Sequence, residues 1–337
     1  MINKIYDKII QTIKENYKII VFFVLAMFVF TIELPYYIEA PGGVINIDER
    51  IEIEEKTYSS GTLNLAYVSQ IKATLPTLIY AKFNKDWDIL KKSKVLYNNE
   101  TELDEAYRSH LLLKEANNNA VIVAYKAANK KIELYNEHLY IIYVSETANT
   151  DLKIGDEILE VENTRITSKD QIDDIVLSHD IGDKIQLVVK RDNKEIECFG
   201  ILKEVEGKKI IGVSLSKTSD IITEPKISFK FKSSESGPSG GFMMALSIYD
   251  ALVEEDITGG KKIVGTGTID VNGNIGSIGG IEYKIKGAVK ENADIFLVPF
   301  GENYEEAKRI VEKNGYNLEL IEVKNFQDAL NKLKTFT

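Results

Sequence analysis

The sequence predicts a multidomain protein of mixed α+β and α/β class, with an N-terminal helix set apart from the rest. Three observations predict it. A run without charge, Ile19 to Ile32, lies close to the N-terminus. Between residues 132 and 205 the pattern runs strand, turn, strand, helix, turn, strand. Beyond residue 207, strand, hairpin and helix signals alternate. The first helical run there, Phe242 to Tyr249, is apolar nearly all round and follows Ser236-Gly237-Pro238-Ser239-Gly240-Gly241. At 337 residues the chain has room for two or three domains.

The N-terminal run is bracketed by Lys18 and Glu33, with Tyr17, Tyr36 and Tyr37 where interfacial aromatics belong. Its charge-free core is shorter than the ~20 residues of an average span. Snorkelling of the flanking charges extends its reach. The expectation is a transmembrane anchor over 19–38 after a cytoplasmic segment, 1–18. Lys4, Lys8, Lys14 and Lys18 precede the run and Glu33, Glu39, Asp48 and Glu49 follow it. The positive-inside rule then gives a single pass of the plasma membrane, with the remainder of the chain extracellular. A cleaved secretory signal is the alternative, but no small-residue cleavage pattern is present and Pro35-Tyr36-Tyr37 stands where cleavage falls.

Composition narrows the partners. The net charge of −10, uncompensated by any basic block, argues against nucleic acid. Cys198 is the single cysteine, so neither an intramolecular disulfide nor a cysteine metal site forms. His110, His138 and His179 are scattered, without metal-type spacing. No metal and no cofactor is expected. No Gly-x-x-x-x-Gly-Lys-Ser/Thr occurs, and Gly259-Gly260-Lys261-Lys262 lacks that spacing, so no ATPase module is read here.

Residues 39–131 read as strands and helices that precede the last domain and partly pack with it. Val44 to Ile53 and Gly61 to Val68 alternate apolar and polar; Leu75 to Phe83 reads as a helix with proline in its first turn. Residues 101–129 form a long helical stretch capped by Thr101, which Asn117-Asn118-Asn119 is expected to weaken or interrupt.

In 132–205, Leu139 to Val144 is a strand, and Leu152 to Val161 is a turn entering a strand. Ser168 to Val176 is a capped helix, Gly182 to Arg191 a second turn and strand, and Asp192-Asn193-Lys194 a hairpin into Glu195 to Phe199. With Gly155-Asp156 and Gly182-Asp183 at the two turns, this order resembles a PDZ domain. The resemblance implies that an extended peptide adds as a strand beside a carboxylate-binding loop. That loop is expected near Glu137-His138-Leu139-Tyr140, making His138, Leu139, Tyr140 and Ile141 the peptide-binding candidates. The stretch lacks the usual glycine-rich form, and both substrate recruitment and gating stay open.

Residues 207–337 hold the chemistry. A serine at a glycine-rich helix start has unobstructed backbone N–H groups and the positive end of the helix dipole beside it, both favourable to an oxyanion. Its hydroxyl is a weak nucleophile without a base, and a desolvated lysine is such a base. Ser236 competes with Ser239 but lies a turn too early. Gly279-Gly280 opens a helix whose apolar face is Ile281, Ile285, Ala288 and Val289. At about 100° per residue Lys284 borders that face, whereas Lys286 and Lys290 point away. Burial there lowers the lysine pKa. Asp270 and Glu282 read as structural or solvated.

Gly237-Pro238-Ser239-Gly240-Gly241, Gly265-Thr266-Gly267 and Ile278-Gly279-Gly280-Ile281-Glu282-Tyr283-Lys284, in this order, resemble the proteolytic domain of Lon proteases. The resemblance implies Ser239 as nucleophile, Lys284 as general base and Thr266 as the hydroxyl that orients the lysine, with Gly237, Pro238 and Gly240 in support. Gly240 stands where alanine is usual, and Thr268 where a glutamate is usual. Anchor, PDZ-like unit and Lon-type domain together resemble the membrane-anchored, pheromone-processing PDZ–Lon proteases of Gram-positive bacteria. This implies an ATP-independent serine endopeptidase that cuts extracellular peptides or flexible segments, a secreted signalling peptide among them, with an oligomer possible. The alternative is a membrane-tethered peptide-binding scaffold with an inactive Lon-like domain.

Overall fold

The computed structural model describes residues 2–97 and 100–335. The chain divides into two compact units: residues 1–41 with 68–97, and residues 42–67 with 98–337.

The smaller unit opens with the helix Ile2–Thr31. Tyr36 to Glu39 then pair antiparallel with Asp88–Lys91. Between these lies the helix Leu75–Phe83, with Pro76 in its first turn and the backbone N–H of Thr74 donating to Thr77 Oγ1 at 2.8 Å. Ile38, Ala73 and Ala81 form the core, packed by Leu78 and Trp87. The end of the N-terminal helix is tied to this core by Leu34 N–H donating to the Ala73 carbonyl (2.8 Å) and by the Lys72–Glu33 ion pair (2.7 Å).

Among the described residues no helix is long and apolar enough to cross a membrane. The N-terminal helix stops at Thr31, and the expected span to residue 38 instead turns into a strand at Tyr36. The charge-free part, Ile19 to Thr31, rises only ~20 Å, against ~30 Å of hydrocarbon.

In the larger unit one antiparallel sheet has the strand order Val213–Glu224, Lys131–Val144, Glu157–Val161, Lys184–Arg191, Lys194–Ile201. The short strand Thr164–Arg165 also pairs with Glu157–Val161. The helix Lys169–Ser178 covers one face, burying Ile172 and Val176 against Leu139, Ile141, Leu187 and Val189. Asp192 and Asn193, both at positive φ, make the tight hairpin. Fully buried Asp156 accepts from Arg191 at 2.6 Å and from Lys153 N–H at 2.7 Å, which fixes the Gly155-Asp156 turn. The strand Val213–Glu224 lies in the stretch expected to belong to the last domain, yet it completes this sheet.

The rest of the unit is α/β. Lys262–Gly265 pairs in parallel with Ile295–Pro299 on one side and with Thr62 to Leu65 on the other, and Glu319–Val323 extends the sheet. The helix Gly241–Leu252 is buried almost throughout, packed between this sheet and the helix Glu102–Ala127. The latter helix runs unbroken through Asn117-Asn118-Asn119, correcting the expected interruption. Tertiary partners supply the reason. Asn118 clasps the N–H and carbonyl of Ser219 (3.1 and 2.7 Å), and Asn119 donates to the Ile269 carbonyl at 3.1 Å. With their amides so engaged, these side chains do not compete for helix backbone.

Candidate active site

Ser239 sits in a turn one residue before Gly240, the N-cap of the helix Gly241–Leu252. The turn is held from several sides. Upstream, Glu235 accepts from buried Arg50 through Nε (2.9 Å) and Nη2 (2.8 Å). Gly237 has φ +85°, a left-handed conformation that suits glycine, and its N–H donates to the Ser109 carbonyl at 2.9 Å. A Cβ on Gly240 stands 2.7 Å from Leu65 Cδ2, and one on Gly241 3.1 Å from Ile269 Cγ2. The glycines therefore let the helix start seat closely on its neighbours. Ser236 is exposed in the preceding loop, outside the turn.

The Ser239 carbonyl accepts twice, from Gly267 N–H at 2.8 Å and from Thr266 Oγ1 at 3.1 Å. Thr266, fully buried, accepts in turn from Lys284 Nζ at 3.0 Å. Lys284 is 3% exposed, and desolvation lowers its pKa from 10.5 to about 8. Ser239, Thr266 and Lys284 are thus brought together from a turn, a strand end and a helix, the first of them through its backbone carbonyl. Ile281, Ile285 and Ala288 bury the same helix face, while Lys286 pairs with Glu282 at 2.6 Å on the outer side.

The helix that carries Lys284 is located by two contacts. Gly280, at φ +67°, caps it. A Cβ on Gly287 stands 3.1 Å from the backbone of Gly43, so glycine there allows the helix to lie directly on the backbone at Gly43. Ahead of the helix, Asn303, 7% exposed, holds both backbone groups of Ile278: its Oδ1 accepts the N–H and its Nδ2 donates to the carbonyl, each at 2.9 Å. The sequence reading missed Asn303, Arg50 and Glu235. Only a buried-polar pairing between distant positions marks them. Asp270 closes its own turn by accepting from Asn272 N–H and Asn274 N–H at 2.8 and 2.9 Å.

Chemically, the arrangement links a lysine whose pKa is lowered to about 8 to the backbone of a serine at a helix N-terminus, through the Thr266 hydroxyl. The backbone N–H groups of Ser239 and Gly240 have no protein partner among the described residues, which leaves two donors beside the hydroxyl for an oxyanion.

The four peptide-binding candidates lie elsewhere. Leu139 and Ile141 are core residues, and the strand that carries His138 to Ile141 is hydrogen-bonded on both edges. Lys217 lies opposite Leu139, Ile141 N–H donates to the Asp156 carbonyl, and His138 Nδ1 lies 2.6 Å from Glu157. No strand can add there, which corrects that expectation. Val213–Glu224 and Lys194–Ile201 are the two edge strands of the sheet, and Asn118 occupies the free side of the first at Ser219. That strand follows Gly212, at φ +95°, and Val213 and Leu215 pack on the core that holds Ile172 and Val176 of the helix Lys169–Ser178.

Comparison with known proteins finds two domain families in the chain. A PDZ domain family model matches residues 119–198, and the Lon protease (S16) C-terminal proteolytic domain matches residues 215–335. The chain is 33% identical over 97 residues to Lon protease 2 of Bacillus subtilis, covering 29% of this chain and 16% of that protein. It is 27% identical over 191 residues to the Lon protease of Campylobacter jejuni, covering 52% of this chain and 22% of that protein. The chain therefore spans less than a quarter of the length of these relatives. Among solved structures, the PDZ domain of an SdrC-like protein from Listeria monocytogenes is 23% identical, covering 23% of this chain and 85% of that one, with a TM-score of 0.22. The chain carries a PDZ domain followed by a Lon-type (S16) C-terminal proteolytic domain.

Proposed function

We propose that the chain is a serine endopeptidase that works without ATP through a Ser239–Lys284 dyad. The observation that carries the reading is the buried Lys284–Thr266–Ser239 connection, with the lysine pKa lowered to about 8. In this reading neutral Lys284 takes the hydroxyl proton of Ser239 as Oγ attacks the peptide carbonyl carbon. The oxyanion rests on the N–H groups of Ser239 and Gly240. The protonated lysine then gives its proton to the departing amine, leaving an acyl-enzyme that water hydrolyses. Thr266 orients the lysine.

Substrates are peptides or flexible segments, a secreted signalling peptide fitting this class. The PDZ domain receives an extended segment beside Val213 to Leu215, supported by that strand's place at an edge of the sheet and by the Asn118 contacts lying farther along it, at Ser219. The N-terminal helix attaches the protein to the plasma membrane. Its run of exposed apolar side chains supports this, Phe22 and Phe23 each being 65% exposed.

The test is hydrolysis of a quenched, unstructured peptide library without ATP by the full chain, Ser239→Ala and Lys284→Ala. Cleavage by the parent chain alone is expected. Cleavage that persists in Ser239→Ala contradicts the reading.

A further inference from the structure

We propose that the smaller unit has its own membrane contact, in which Leu75, Ile79 and Phe83 seat on a bilayer bearing anionic headgroups. This deepens the membrane attachment proposed above for the N-terminal helix, and the experiment below separates the two.

The helix Leu75–Phe83 is apolar on opposite sides. Leu78 and Ala81 face the small core. On the other side Leu75, Ile79 and Phe83 are 46%, 54% and 83% exposed, at i, i+4 and i+8, with Tyr80 beside them at 56%. In an α-helix that spacing makes one continuous stripe. A helix apolar all round is normally covered, and a contiguous exposed patch of large apolar side chains marks an interaction surface.

Charge and position identify what covers it. The whole chain carries −10, yet residues 68–97 hold six lysines (72, 82, 85, 91, 92 and 94) against two aspartates (86 and 88). Lys82, Lys85, Lys91 and Lys94 are exposed. Lysines in the same unit as an apolar stripe, Lys82 and Lys85 on either side of Phe83 in the chain, match an anionic lipid surface, each adding attraction near the headgroups. A second copy of the chain would bring the same lysines against these and repel. The stripe also begins two residues beyond Ala73, whose carbonyl accepts from Leu34 N–H at 2.8 Å. The N-terminal helix therefore ends beside it, with Phe28, Phe30 and Ile32 likewise exposed. The two apolar surfaces are neighbours within one unit.

The experiment uses the full chain with a nitroxide at Phe83→Cys or, separately, at Phe28→Cys. Cys198, buried in the PDZ domain, leaves labelling selective. Collision with oxygen, which concentrates in lipid, is compared with collision with a water-soluble nickel complex. The vesicles are phosphatidylcholine alone or phosphatidylcholine with phosphatidylglycerol. With the anionic vesicles, both labels are expected to favour oxygen, and the residue-83 label is expected to lose most of this on the neutral ones. A residue-28 label in lipid with a residue-83 label in water overturns the stripe contact alone. Both labels in water overturn the stripe contact and the helix attachment together. A residue-83 label shielded from both agents overturns the proposal in favour of a protein partner or a second copy. Equal oxygen preference on both vesicle types overturns the role of the lysines.

Discussion

Lys284 Nζ donates to the hydroxyl of Thr266 at 3.0 Å, and that hydroxyl donates onward to the carbonyl of Ser239. The lysine is thereby held against the backbone of Ser239, at the start of a buried helix. With its pKa lowered to about 8, proton acceptance becomes available near neutral pH. Peptide hydrolysis is therefore expected to rise with pH, with a midpoint of kcat/KM near 8. A pH–rate profile on an unstructured peptide checks this.

The same burial costs stability. The folded-state pKa is depressed below 10.5, so the unfolded chain binds more protons between about pH 8 and 10.5. The penalty is fully present below about pH 8 and fades as pH rises towards 10.5. Lys284→Met, similar in length and uncharged, is expected to abolish hydrolysis and yet to stabilise the fold by up to ~3 kcal/mol at pH 7. Denaturant unfolding of both proteins at pH 7 and 10 checks that this gain shrinks with pH.

Thr266→Val keeps the shape and removes both hydroxyl bonds. A fall in kcat of about a hundredfold is expected, equivalent to ~2.7 kcal/mol of transition-state positioning. Loss of the acceptor for the ammonium also moves the pH midpoint downward. A kcat drop with an unmoved midpoint contradicts the orienting role.

Asn303→Ala strands the N–H and carbonyl of Ile278, both bonded at 2.9 Å. Each buried unpaired group costs about 1–3 kcal/mol. The loop that leads into the lysine helix is expected to loosen, with kcat/KM falling at least tenfold while Ser239 remains in place. Hydrogen exchange at residues 277–284, faster in the variant and unchanged at 237–244, is the structural readout.

Gly287→Ala puts a methyl 3.1 Å from the Gly43 backbone, which has no flexible end to give way. The lysine helix must shift outward. Destabilisation of about 1–3 kcal/mol is expected, together with an upward move of the kinetic midpoint as Lys284 becomes better solvated. Thermal unfolding and the pH–rate profile check the two parts.

Much of the site was legible in the sequence, because its determinants are local. Glycines around Ser239 mark a helix start that a ligand can approach, and a period of 3.6 places Lys284 on the same face as Ile281 and Ile285. The unread parts depend on distant partners. Arg50 and Glu235 meet across 185 positions, and Asn303 and Ile278 across 25, without any local pattern. Asn117-Asn118-Asn119 read as a helix breaker because its partners, Ser219 and Ile269, lie far along the chain. Val213–Glu224 was missed because it is rich in serine, threonine and charge, as suits an edge strand held to a helix by polar contacts. Missing it misplaced the peptide-binding candidates at His138 to Ile141, on a strand paired on both sides.

The central claim is the partnership of Ser239 and Lys284. Its most direct measurement is phosphonylation of Ser239 by a serine-directed fluorophosphonate probe, in which Oγ displaces fluoride from phosphorus, followed by intact-protein mass spectrometry from pH 6 to 10, in the full chain and in Lys284→Met. The account predicts single-site labelling at Ser239 that accelerates with a midpoint near pH 8 and is lost in Lys284→Met. Equal labelling rates in the two proteins, or a probe adduct on a residue other than Ser239, would contradict it.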